Sequence, residues 1–181
     1  MANRLKTLLL ACQLLLAGHA HALLIPGADA PDFSLEAAVA GQPFRFSLAE
    51  ALQKGPVVVY FYPKSFTGGC SVQARMFSRA MGDFAALGAT VIGVSNDGID
   101  TQKEFSVKEC SNALAVAADP EGSVVRAYDA SMLLGSGTSK RVSYVITPDR
   151  KIYYVYSDMS PQDHVTKTLE AVRAWKAAKA Q

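Results

Sequence analysis

The stretch Pro56-Val57-Val58-Val59-Tyr60-Phe61-Tyr62-Pro63-Lys64-Ser65-Phe66-Thr67-Gly68-Gly69-Cys70 decides the fold. Residues 56 to 62 form an unbroken β-branched and aromatic run, the composition of a central strand buried on both faces. Pro63 ends that run. Beyond a loop carrying Gly68 and Gly69, residues 70 to 87 place Val72, Met76, Phe77, Ala80, Phe84 and Leu87 at helical spacing, with Gly88 as the stop. A cysteine therefore stands at the start of a helix that follows directly on a buried strand.

Further along the chain, Thr90 to Val94 is a second buried strand and Thr101 to about Cys110 a second helix. Leu114 to Ala118 is a short strand ended by Asp119-Pro120, and Glu121 to Tyr128 is a short helix. Arg141 to Thr147 and Lys151 to Tyr156 are strands around a Pro148-Asp149-Arg150 turn. His164 to Lys179 closes the chain as an amphipathic helix with Val165, Leu169, Val172 and Trp175 along one side. On the N-terminal side, 30–35 and 42–48 alternate as half-buried strands about a glycine-containing turn, an N-terminal hairpin. The order predicts an α/β fold, a thioredoxin-like sandwich with a central mixed sheet flanked by helices.

The 181 residues are half hydrophobic and 19% charged, enough for one domain with a core of its own. The formal charge of +2 is too small to suggest a nucleic-acid groove or a polybasic membrane surface. Residues 1–22 differ from the rest. Arg4 and Lys6 precede an apolar run from Thr7 to Gly18, and Ala20-His21-Ala22 gives a small-x-small cleavage pattern, so a signal peptide is expected there and a single domain over 23–181. The run is shorter than the roughly 20 residues of a spanning helix, so no stable membrane insertion is expected after cleavage. Export places the protein in the periplasm of a Gram-negative cell, or outside the cell otherwise. The segment 23–181 keeps two cysteines, Cys70 and Cys110, which an oxidising compartment could join as a structural disulfide.

Pro63-Lys64-Ser65-Phe66-Thr67-Gly68-Gly69-Cys70 resembles the peroxiredoxin pattern P-x-x-x-T-x-x-C. Tyr60-Phe61-Tyr62-Pro63-Lys64 before it and Gln73 after it resemble the bacterioferritin-comigratory, or Q-type, subfamily in particular. The resemblance spans most of residues 27 to 175, including Gly93-Val94-Ser95-Asn96-Asp97 and Asp119-Pro120-Glu121-Gly122. It implies a thiol peroxidase in which Cys70 attacks a hydroperoxide, the Thr67 hydroxyl bonds the peroxide and Pro63 shields the thiolate. It also implies an arginine, matched by Arg141 at the head of Arg141-Val142-Ser143-Tyr144-Val145-Ile146, that holds thiolate and peroxide together. No cofactor or metal is implied. The partners expected are a hydroperoxide substrate and a thiol reductant, either a thioredoxin-like protein or a small thiol, acting on a monomer.

The chemistry demands such a site. Only the thiolate attacks peroxide, and an ordinary cysteine is about 3% ionised at pH 7. The first turn of a helix offers unpaired N–H groups and the positive end of the dipole to an anion. Full ionisation gains only about thirtyfold, roughly 2 kcal/mol, so donors aimed at the breaking O–O bond must contribute more. Arginine suits this role because its guanidinium is rigid and always charged.

Attack leaves a sulfenic acid that a second thiol can resolve. In many Q-type members that thiol lies five residues after the nucleophile, where this chain has Arg75. Other members carry it on the next helix, at a site falling on Ser106. Cys110 is one turn further along, so an i, i+4 relation would turn it to the same side. Cys110 is thus the expected resolving residue, with an inert buried thiol as the alternative. Two other functions fit a thioredoxin-like fold. A thiol-disulfide oxidoreductase would carry C-x-x-C, but position 73 is Gln. A metal-handling module would carry C-x-x-x-C and a histidine, but position 74 is Ala, and His164 is expected as a surface or cap-adjacent residue.

Overall fold

The computed structural model describes residues 23–132 and 137–180. The expected signal segment, 1–22, lies outside the described residues. The strands are β1 (Ser34–Val39), β2 (Gln42–Ser47), β3 (Val57–Phe61), β4 (Thr90–Ser95), β5 (Ala115–Ala118), β6 (Val142–Ile146) and β7 (Ile152–Ser157). The helices are α1 (Leu48–Leu52), α2 (Gly68–Ala86), α3 (Ile99–Lys108), α4 (Ser123–Ala127) and α5 (Asp163–Lys179).

The strands form one mixed sheet in the order β2-β1-β5-β4-β3-β6-β7. β3 lies between β4, parallel to it, and β6, antiparallel to it. Every β3 residue is buried, as its β-branched and aromatic run requires. Alternation then deals its side chains to two cores. Val57, Val59 and Phe61 join Leu48, Leu52, Val124 and Tyr128 on the α1/α4 face. Val58 and Tyr60, with Tyr62 beyond the strand, join Phe77, Phe84, Phe105, Leu169 and Val172 on the α2/α3/α5 face. The second core contains both Cys70 and Cys110.

Three boundaries move from their expected places. The hairpin forms, but its first strand is 34–39, because Ala40 and Gly41 take positive φ values of 51° and 77° and make a two-residue turn. Helix α1 follows β2 at once. The Ser47 hydroxyl accepts the Glu50 N–H at 3.3 Å, so the Ser-x-x-Glu pattern that starts this helix stood in the sequence. Helix α2 begins at Gly68, which makes Cys70 its third residue, still within the first turn.

Candidate active site

Two strand ends build the site. β3 delivers the chain to Tyr62, Pro63 and the loop that leads into α2. β6 pairs with β3 in the register Phe61↔Val142, so Arg141, immediately before β6, arrives beside that loop. Positions 71 apart in sequence thereby meet: Arg141 Nη2 lies 3.5 Å from Cys70 Sγ. The thiol is 2% exposed and the arginine 4%.

Cys70 sits in the first turn of α2. Thr67 stands at the cap position in extended geometry, but its side chain makes no cap bond, and the first turn contains no acidic residue. Its hydroxyl donates instead to the Lys64 carbonyl at 2.9 Å. The first N–H groups of a helix have no intrahelical acceptor, so the positive end of α2 remains uncompensated beside Cys70.

Arg141 is held on its other sides. Its Nη1 donates to Gln73 Oε1, one turn along α2 from Cys70, and its Nε donates to the Met159 carbonyl at 2.9 Å. Gln73 is fully buried, and its Nε2 has no hydrogen-bond partner among the described residues. Gly69 supplies the space: a Cβ there would lie 3.0 Å from Arg141 Nη2.

A second polar network fixes the loop. The Tyr62 hydroxyl donates to Gln102 Oε1 at 2.8 Å and lies 3.1 Å from Ser65 Oγ. The Ser65 N–H donates to Asp97 Oδ2 at 2.7 Å, while Gln102 Nε2 donates to Ser95 Oγ and the Ala117 carbonyl. Burial pushes the Tyr62 hydroxyl far up, so it stays protonated and acts as a donor. Phe66, with φ 62°, turns its half-exposed ring onto Phe105, with centroids 5.2 Å apart.

The structure thus brings Arg141 to Cys70, with Thr67 at the cap of the same helix and Pro63 at the head of the loop that leads into it, whereas Cys110, in the same core, has its carbonyl against Ser78 further along α2. Cys110 is fully buried and both thiols are free. Burial, followed by the neighbouring Glu109 carboxylate, pushes its thiol up to about 12. The expected helical relation between Ser106 and Cys110 does not hold, because α3 ends at Lys108. Ser106 Oγ accepts the Gly41 N–H from the hairpin, whereas the Cys110 carbonyl accepts the Ser78 hydroxyl of α2 at 2.8 Å. Ser78 is eight residues along α2 from Cys70, about 12 Å of helix. A disulfide needs Cα atoms within about 7 Å.

Sequence reasoning missed Gln73 as an arginine partner, although its i+3 spacing from Cys70 put it on the same helix face. It also missed the roles of Ser65, Asp97 and Gln102: the first two lie in stretches that carry the resemblance, but nothing local shows that Ser65 and Asp97 bond each other or that Gln102 joins them. His164 is a correction: expected at the surface, it is fully buried between β6 and the β7–α5 connection. Among the described residues, no cluster of three or more His, Cys, Asp or Glu could hold a metal, and no helix is long and apolar enough to cross a membrane.

Comparison with known proteins places this geometry among relatives. The AhpC/TSA family description matches residues 26–155. A putative peroxiredoxin bcp of Helicobacter pylori is 30% identical over 151 residues, covering 81% of this chain and 96% of its own. A chloroplastic peroxiredoxin Q of Oryza sativa is 30% identical over 82% of this chain, and the match spans 66% of the rice protein's length. The crystal structure of peroxidoxin BcpB from Mycobacterium tuberculosis superposes with a TM-score of 0.74 at 31% identity, covering 83% of this chain and 97% of that one. A Xanthomonas campestris peroxiredoxin Q structure shares the fold, with a TM-score of 0.71 at 24% identity over 86% of this chain and 99% of that one.

Proposed function

The chain belongs to the AhpC/TSA family, alongside the peroxiredoxins of the Q and bcp type, and from that membership we propose that it is a thiol peroxidase whose nucleophile is Cys70. The observation that carries this reading is the Arg141 guanidinium 3.5 Å from the Cys70 sulfur, at the uncapped start of a helix. Cys70 thiolate attacks the distal oxygen of a hydroperoxide. An S–O bond forms, the O–O bond breaks, and the departing alkoxide takes up a proton to leave as alcohol or water.

Arg141 meets thiolate and peroxide with one rigid cation, which stabilises the charge developing on the leaving oxygen. The Thr67 proton is committed to Lys64, so its hydroxyl meets the peroxide as an acceptor of the peroxide's own O–H. Pro63, next to Tyr62 in the loop, limits water at the thiolate.

Resolution falls to Cys110. Its thiol condenses with the Cys70 sulfenic acid, releasing water and leaving a disulfide that an external thiol, small or protein-borne, then reduces. The separation along α2 requires the first turns of that helix to open before the sulfurs meet. Gly68 and Gly69, the weakest helix formers among ordinary residues, and the missing cap make that end the one to open. The basic, apolar and small-residue pattern of 1–22 supports export.

With dithiothreitol as reductant, the purified protein should consume hydrogen peroxide or an organic hydroperoxide, and Cys70→Ser should abolish this. Unchanged turnover in Cys70→Ser would sink the assignment. Mass spectrometry after one equivalent of peroxide separates the two fates of the sulfenic acid. Wild type should lose two hydrogens as an intramolecular disulfide, and Cys110→Ser should instead give a trappable sulfenic acid. A wild-type protein that accumulates sulfenic acid is a one-cysteine enzyme.

A further inference from the structure

The β7–α5 connection reaches the site through its backbone. The Met159 carbonyl accepts Arg141 Nε at 2.9 Å and thereby orients the guanidinium whose Nη2 faces Cys70. What fixes that carbonyl is the neighbouring residue, since the Asp158 carbonyl lies 2.9 Å from His164 Nε2. The imidazole is fully buried, stands edge-on to Tyr156 with centroids 4.8 Å apart, and has its Nδ1 2.8 Å from Ser143 Oγ. Ser143 lies on β6, two residues beyond Arg141.

We propose that His164 is a positioning residue for the peroxidatic site, acting on Cys70 only through the Asp158–Met159 backbone and Arg141. The inference rests on the peroxidase reading above and adds a residue to its machinery.

The ring's tautomer follows from its partners. A carbonyl can only accept, so Nε2 carries the proton and donates to Asp158. Nδ1 is then the acceptor and receives the Ser143 hydroxyl proton. The two bonds point in opposite directions from one rigid ring, which ties β6 at Ser143 to the connection at Asp158. Arg141 is held within the same bracket. Its carbonyl accepts the Ser157 hydroxyl at 3.4 Å, its Nε reaches Met159, and its strand neighbour two residues on is the histidine's partner. Without the imidazole the connection loses its side-chain tie to β6, and the Met159 carbonyl is free to turn away from Nε. Arg141 would then keep its charge but lose one of the contacts that aim it. Removing the aim should slow the chemical step while leaving the fold intact.

Neutral His164 with a donating Nε2 has a direct signature. The 15N chemical shifts of the His164 ring at pH 7, assigned against the His164→Gln variant, should show a protonated Nε2 and an unprotonated Nδ1. The opposite tautomer would remove the tie to Asp158 and overturn the proposal whatever the activity of the protein.

The functional test is a double-mutant cycle on the rate of Cys70 oxidation by hydrogen peroxide in single turnover. His164→Phe keeps the ring volume and loses both bonds, and should be roughly tenfold slower than wild type. His164→Gln can present an N–H in the place of Nε2–H and should recover to within about threefold of wild type. In an Arg141→Ala background, His164→Phe should change the rate by less than about twofold, because the residue it acts through is gone.

A full tenfold loss persisting without Arg141 would show that His164 serves the fold in general, and would refute the role. If His164→Phe does not fold, Ser143→Ala takes its place in the same cycle and is judged by the same criterion. If wild type itself fails to consume peroxide, the peroxidase reading falls, while the tautomer measurement still tests the bracket.

Discussion

Replacing Gly69 by alanine separates activity from stability in this site, because the rate should fall further than the stability. The new Cβ would lie 3.0 Å from Arg141 Nη2 and 3.9 Å from Cζ, so the guanidinium must yield by a few tenths of an ångström. It cannot yield freely. It is planar and tied at Nε to the Met159 carbonyl and at Nη1 to Gln73, so the shift lengthens one of those bonds or the 3.5 Å contact to Cys70. Weakening one charge-assisted bond costs about 1–2 kcal/mol at the transition state, roughly a 5- to 30-fold loss of rate.

Residue 69 is also the second residue of α2, where alanine is the better helix former by up to about 1 kcal/mol. The helix gain therefore offsets part of the weakened contact, so thermal stability should fall by less than peroxide reduction does. Rapid-quench mass spectrometry of Cys70 sulfenic acid, read beside calorimetric melting, measures both. Gly69→Ala oxidised at the wild-type rate would refute the placement of Arg141 against the first turn of α2.

Three further outcomes follow from the packing. In Gly93→Ala the added methyl carbon would stand 2.5 Å from the Tyr60 ring, which is fully buried and stacked 4.4 Å from Phe77, so denaturant melts should show a loss of about 1–3 kcal/mol. Gln102→Met removes the acceptor shared by the Tyr62 and Ser65 hydroxyls, which keep only each other, and the side-chain donor to the Ala117 carbonyl; it should cost about 1–3 kcal/mol and loosen the loop before Cys70, seen as faster amide exchange at Ser65.

The third concerns pH. Burial, the largest cause, and the Arg141 charge lower the His164 value from 6.5, and the Asp158 carbonyl and the Asp158 and Asp163 charges only partly oppose them. The unfolded chain then binds the proton first on acidification. The stability from this group is complete above pH 6.5 and is lost as pH falls through the lowered folded value. His164→Gln should lack that decline in a melt series across this window. For Cys110 the sign is reversed: its contribution is complete below pH 9.0 and fades as pH rises toward about 12, a decline that Cys110→Ala should lack.

What the sequence determined by itself was local. A short β-branched and aromatic run ended by Pro63 reads as a central strand, and helical spacing over 70–87 follows the glycine-rich loop, so Cys70 at a helix start could be read from residues 56–87. The resemblance to a known family pointed to Thr67, Pro63 and Arg141, and the tertiary structure supplied the reason that Arg141 reaches the sulfur: antiparallel pairing of β6 with β3 sets Val142 opposite Phe61.

The remaining facts lay in contacts between segments far apart in the chain. The structural roles of Gln73, Gln102 and His164 cannot be read from sequence, because a buried polar residue is defined by the partners that satisfy it. Those partners lie 68, 40 and 21 positions away. Cys110 shows the same limit. Helical periodicity does not reach it, because α3 ends at Lys108, and only the fold sets its carbonyl against Ser78, well along α2 from the thiol it is proposed to meet.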